Sequence, residues 1–191
     1  MLNTIPPIFP LNETVKNDLL DYAFEIEYFD KQLNKILDHL ETKGMLENTL
    51  VIVTSDNGMP FPRVKGQVYP YDHHLPLAIR WGKGIKSPGR VISDFFSFSD
   101  FAPTFLDLSG INKERYIMED FSGKSWVNVF KNQTDENPRP YMIIGKERHD
   151  VGRENDQGYP VRAIIEGKYF YSRNFKPERW PAGNPETGYL N

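Results

Sequence analysis

Cysteine is absent from this 191-residue chain, which excludes disulfide frameworks, thiolate metal sites and thiol nucleophiles together. The absence does not place the compartment, because a protein without disulfides folds in either redox environment. No apolar run approaches the roughly 20 residues that a bilayer-spanning helix needs. No lysine and arginine block stands out either: 23 basic and 26 acidic residues are interspersed along the chain, for a net charge of -3. Membrane and nucleic acid are therefore not expected partners. The stretch MLNTIPPIFPLNE has no basic segment followed by a long apolar core, so no signal peptide is visible in it.

What is present describes a folded α/β protein. Hydrophobic residues make up 39% of the chain, enough to build a core and too many for a disordered segment. Val15, Leu19, Ala23, Ile26, Phe29, Leu33, Ile36, Leu37 and Leu40 recur at steps of three and four, which predicts a helix of about seven turns. Gly44 follows as its C-terminal cap. NTLVIVTSD (48–56) then reads as a buried strand with apolar residues on both faces. Helix, short turn and buried strand make half of a βαβ unit, and in open α/β sheets chemistry gathers at the carboxyl ends of strands. Asp56 and Asn57 stand at that end.

Further along, LPLAIRW (75–81) reads as a strand, and RVISDFFSFSD (90–100) as a strand running into Ser99 and Asp100, which would cap the helix APTFLDLSG. SWVNVF is a short amphipathic turn, and NQTDENPRP a boundary by its polar and proline content. YMIIG is a strand, and the two alternating runs around Glu166 and Gly167 in YPVRAIIEGKYFYSRNF signal a hairpin. Residues 1–137 and 138–191 are thus expected to form separate parts.

The chemistry concentrates in LVIVTSDNGMPFPRVKG (50–66). Asp56 and Asn57 offer a carboxylate and an amide carbonyl, hard oxygen donors suited to Ca2+ or Mg2+, although calcium takes six to eight such ligands. On spacing alone a plain Asp-Asn-Gly turn accounts for the same residues equally well. Lys65 follows in a loop that could return it to the same pocket, where its charge would meet a metal-bound oxyanion; the alternative is a solvated surface lysine. His73 and His74, read as part of a strand, point to opposite faces and cannot both ligate one ion. The loop GKERHDVGREND (145–156) suits an anionic, hydroxyl-bearing ligand, or is simply exposed charge.

The order T-S-D-N-G, K-G, Y-x-x-x-x-x-x-P-L-A-I-R-W and S-D-F-A-P-T-F-L-D-L-S-G closely resembles the second half of the type I sulfatases, in the alkaline phosphatase superfamily. DNGMPFPRVKG and GKERHDVGRENDQGYPVRAI look like the heparan N-sulfatase (N-sulfoglucosamine sulfohydrolase) branch. The resemblance implies the C-terminal portion of that α/β fold: a mixed sheet flanked by helices (1–137), then a small antiparallel subdomain (138–191). It implies that Asp56 and Asn57 are calcium ligands and that Lys65 contacts the sulfate. It sets His74, where many members carry arginine, and His149, Asp150 and Arg153 against a sulfated glycan substrate. KGQVYPYDHHLPL departs from the common K-G-x-x-Y-E form.

Enzymes of this family use a formylglycine made from a C/S-x-P-S/A-R motif, with an Asp-Asp pair completing the metal site. Neither motif occurs here. The chain is accordingly expected to be a fragment with an incomplete Ca2+ site, inactive alone, which self-associates or pairs with an N-terminal half of the enzyme. The intact protein would be periplasmic or extracellular. Two other readings are a non-catalytic sulfated-glycan-binding module and a metal-dependent phosphatase or phosphodiesterase of the same superfamily. The K-G pair, and the lack of a zinc-type D-x-x-x-H spacing near Asp56, favour sulfate over the latter.

Overall fold

A computed structural model describes residues 8–10, 12–111, 118–133, 139–147 and 157–179. The chain divides into two compact units, one of residues 1–51 and 79–83, the other of residues 52–78 and 84–191.

The first unit is built on helix α1 (Glu13–Thr42), which spans the predicted periodic segment. Asn12 caps its start, its side chain accepting from the Val15 N–H at 2.9 Å. At the other end the Gly44 N–H donates to Glu41 O (2.8 Å) and the Met45 N–H to Leu40 O (2.9 Å), a paired closure that needs Gly44 at φ +66°. Leu19 is buried on α1, whereas Phe24, Ile26, Tyr28, Phe29 and Ile36 remain exposed. After the helix, Arg80 bonds Glu47 Oε1 at 3.2 Å and the Lys83 N–H meets Glu47 O at 3.0 Å.

Strands β1 (Val51–Thr54) and β2 (Leu77–Arg80) pair as a two-stranded sheet. In the second unit the Thr54 hydroxyl donates to Pro76 O at 2.8 Å. The connection carries helix α2 (Pro70–His73), so His73 and His74 lie on a helical turn and its C-cap rather than on a strand. Pro70 at the first helical position favours that turn, since its fixed φ suits a helix start.

Residues 90–97 are not a strand, contrary to the sequence expectation. Their anchors are side chains instead of a ladder. The Arg90 guanidinium binds Ser87 O, Asn132 Oδ1 and Val129 O at 2.7 to 2.9 Å, and Phe96 packs edge-on against Trp126 with centroids 4.6 Å apart. Val91 is 96% exposed. The cap of the following helix also moves: Ser97 forms a capping box with Asp100 over the turn Phe98–Asp100, which feeds α3 (Phe101–Leu108). SWVNVF contains α4 (Val127–Phe130).

Strands β3 (Tyr141–Lys146), β4 (Val161–Glu166) and β5 (Tyr169–Asn174) form an antiparallel sheet. Glu166 faces Tyr169 across the predicted hairpin, leaving a two-residue turn at Gly167 and Lys168. Ile144, Val161 and Ala163 bury one face of this sheet together with Val68, which comes from the loop after β1. That contact ties the loop bearing Lys65 to the sheet.

Candidate functional site

Asp56 and Asn57 leave the C-terminal end of β1, Asp56 exposed and Asn57 half-buried. Among the described residues no hydrogen bond or ion pair engages either side chain. The backbone of this turn is nonetheless held. Ser55 Oγ donates to Asn57 O at 2.6 Å, and the Gly58 N–H donates to Asp72 Oδ1 at 2.9 Å. A Cβ on Gly58 would sit 2.3 Å from Tyr71 O and 2.6 Å from Asp72 Cα, so only glycine permits this approach.

Lys65 is exposed and likewise unengaged among the described residues. Its neighbours are the opposite: Val64 is fully buried and Val68 nearly so. Tight turns run through the loop, with the Val64 N–H on Phe61 O and the Gln67 N–H on Val64 O, both at 3.1 Å. Lys146, from the end of β3, donates to Gly66 O (3.1 Å) and Gln67 Oε1 (3.0 Å). The loop is therefore a packed platform that leaves two cations, Arg63 and Lys65, exposed.

His74 is exposed, and its N–H closes α2 onto Pro70 O at 2.7 Å. His73 Nε2 donates to Gln67 O at 2.7 Å, which gives that ring a place in the loop. His149, Asp150 and Arg153 lie outside the described residues. Asp56 and Asn57 form one donor pair. Lys65 and His74 stand on the connection that follows it.

Two oxygen donors of this kind fit calcium chemically, as two of the six to eight it takes. Among the described residues no group of three or more His, Asp or Glu side chains gathers as a metal site. Asp72, Gly58 and Lys146 were not singled out by sequence reasoning. Asp72 stood beside two histidines that drew the chemical argument, and nothing in YDHH marks it as the partner of a glycine behind it in the chain.

A buried ion pair lies elsewhere in this unit. Asp100 is fully buried and accepts from the Ser97 and Lys124 N–H groups (2.8 and 2.9 Å) and from both Arg139 amino groups (2.8 and 2.7 Å). Burial pushes its carboxyl up, but the Arg139 and backbone hydrogen bonds and the Arg139 charge outweigh it and hold the group below its ordinary range. Asp100 O also accepts from Thr104 Oγ1 (2.6 Å), which in turn accepts from the Trp126 N–H (3.0 Å). The S-D-F-A-P-T segment is therefore a structural knot.

Residues 8–111 match the family model described as Sulfatase. The ulvan-active sulfatase of Formosa agariphila is 32% identical over 92% of this chain and 27% of its own length. Human N-sulphoglucosamine sulphohydrolase is 27% identical over 90% of this chain and 34% of its own. The chain thus spans about a quarter to a third of these relatives. Among solved structures, a 2-O GAG sulfatase superposes over 76% of the chain and 31% of its own with a TM-score of 0.61 at 20% identity. The phosphonate monoester hydrolase of Agrobacterium radiobacter does so over 76% and 30%, with a TM-score of 0.64 at 23% identity. At such identities these two establish the alkaline phosphatase-like fold and no more.

Proposed function

The chain belongs to the sulfatase family, and from that membership we propose that it supplies the cation and oxyanion side of a site that hydrolyses sulfate, N- or O-linked, from a sulfated glycan such as heparan sulfate. The observation that carries this reading is the unengaged pair Asp56 and Asn57 at the end of β1, inside the matched residues. In this reading both side chains give oxygen ligands to Ca2+, which when bound polarises the sulfate oxygens. Lys65 brings a compact positive charge to a sulfate oxygen and stabilises the negative charge that grows there as the bond to the leaving group breaks. His74, His149, Asp150 and Arg153 belong to the sugar side.

No C/S-x-P-S/A-R motif and no Asp-Asp pair occurs in the 191 residues. We therefore place the formylglycine and the further acids on another segment, in the same protein or in a separate N-terminal half. Residues 1–137 then complete the catalytic domain and 138–191 the antiparallel subdomain. The intact protein works in the periplasm or outside the cell.

Two measurements test the reading. Purified chain incubated with Ca2+ and glucosamine N-sulfate releases no sulfate; release above the buffer rate would sink the inactivity. Titration with Ca2+ shifts the backbone amide resonances of residues 55–58, and Asp56→Ala with Asn57→Ala removes those shifts. A wild-type chain that gives no shift refutes the metal assignment.

A further inference from the structure

Asp72 is 5% exposed, and among the described residues its carboxylate accepts a single hydrogen bond, from the Gly58 N–H at 2.9 Å. Its other oxygen lies 3.9 Å from His73 Nε2, a nitrogen already committed to Gln67 O. Burying a carboxylate is costly unless it is well paired and hydrogen-bonded. One hydrogen bond and a distant imidazole are weak compensation, so stability alone is a poor account of an acid at this position. What the bond does accomplish is local. It fixes the residue directly after Asp56 and Asn57, while Ser55 Oγ holds Asn57 O from the other side. The backbones of Gly58 and Tyr71 abut so closely that Gly58 tolerates no side chain.

We propose that Asp72 is the positioning residue of the site: through the Gly58 N–H it pins the turn that presents the Asp56 and Asn57 oxygens. The proposal rests on reading those two residues as metal ligands. Asp72 itself touches neither ion nor substrate.

Amide NMR of the full chain, with three variants, tests it. Asp72→Ala is expected to speed exchange of the Gly58 amide by about tenfold or more and to move the Asp56 and Asn57 resonances, while the β3, β4 and β5 amides keep theirs. Asp72→Asn retains an acceptor oxygen and most of the protection. Gly58→Ala reproduces the local loosening with Asp72 intact, which keeps the test open if Asp72→Ala does not fold. In a Ca2+ titration Asp72→Ala raises the half-saturation concentration by roughly fivefold, and Asp72→Asn restores most of it. Wild-type exchange at Gly58 in Asp72→Ala, an Asn variant no better than Ala, or an unchanged Ca2+ half-saturation in Asp72→Ala each overturns the proposal. A wild-type chain with no Ca2+ response removes the metal reading alone, and amide exchange then decides the latch by itself.

Discussion

The Arg139 guanidinium grips Asp100 through two hydrogen bonds in an environment where the carboxylate has no water. Removing it strands a buried charge on two backbone donors, so Arg139→Ala is expected to lower stability by about 3–5 kcal/mol, read from urea unfolding. The pH dependence has a definite sign. Because the folded carboxyl lies below its ordinary value of 3.8, its contribution is complete above that value and fades as pH falls through the lowered folded value. Unfolding midpoints measured from neutral pH downward should drop on the acid side, and Arg139→Ala should flatten that slope. Lys65 predicts the converse: as an exposed, unengaged side chain, its change to Ala should alter stability by less than about 0.5 kcal/mol while weakening binding of a sulfated disaccharide about tenfold, as titration calorimetry would read. At this scale the sequence drew attention to Asp56, Asn57 and Lys65 because they sit in one short run, and the structure leaves their side chains unengaged among the described residues. Asp72 with Gly58 and Asp100 with Arg139 were not legible, because each pair meets only through folding, across separations of 14 and 39 residues.

Elements whose signal is local were read correctly from sequence alone. Helix α1 announces itself by its own periodicity and its terminal glycine, and the β4–β5 hairpin by alternation around Glu166 and Gly167. Residues 90–97 show the opposite case. Their aromatic and β-branched content is strand-like by propensity, yet contacts from Asn132, Val129 and Trp126 decide their path. The histidine pair failed as a strand for a similar reason, since the proline two positions before Asp72 starts a helical turn. The capping geometry of α1 makes its own prediction. Gly44→Ala forces a side chain into the left-handed region at φ +66° and should cost about 1–2 kcal/mol, measured as a lowered thermal midpoint.

At the scale of the molecule, apolar surface is left open in each unit taken separately. On α1 these are Phe24, Ile26, Tyr28, Phe29 and Ile36, and on the three-stranded sheet Ile143, Tyr169 and Tyr171, with Tyr169 72% exposed. Among the described residues, strands β3 and β5 are both terminal in that sheet, with no further strand paired to either edge. Such surface favours association, so the purified chain is expected to grow in apparent mass with concentration in light scattering. A single monomeric species across the range would count against this. The loop that carries Lys65 has a separate consequence, for how the protein can change over generations. Val64 and Val68 are locked into packing while the residue between them that bears the charge is not, so a saturation library should divide sharply: substitutions at 64 and 68 would deplete folded protein, and those at 65 would leave its abundance untouched. A charge mounted on an anchored frame can be exchanged without rebuilding the frame, so under the proposed reading a change of anion at position 65 would leave the fold intact.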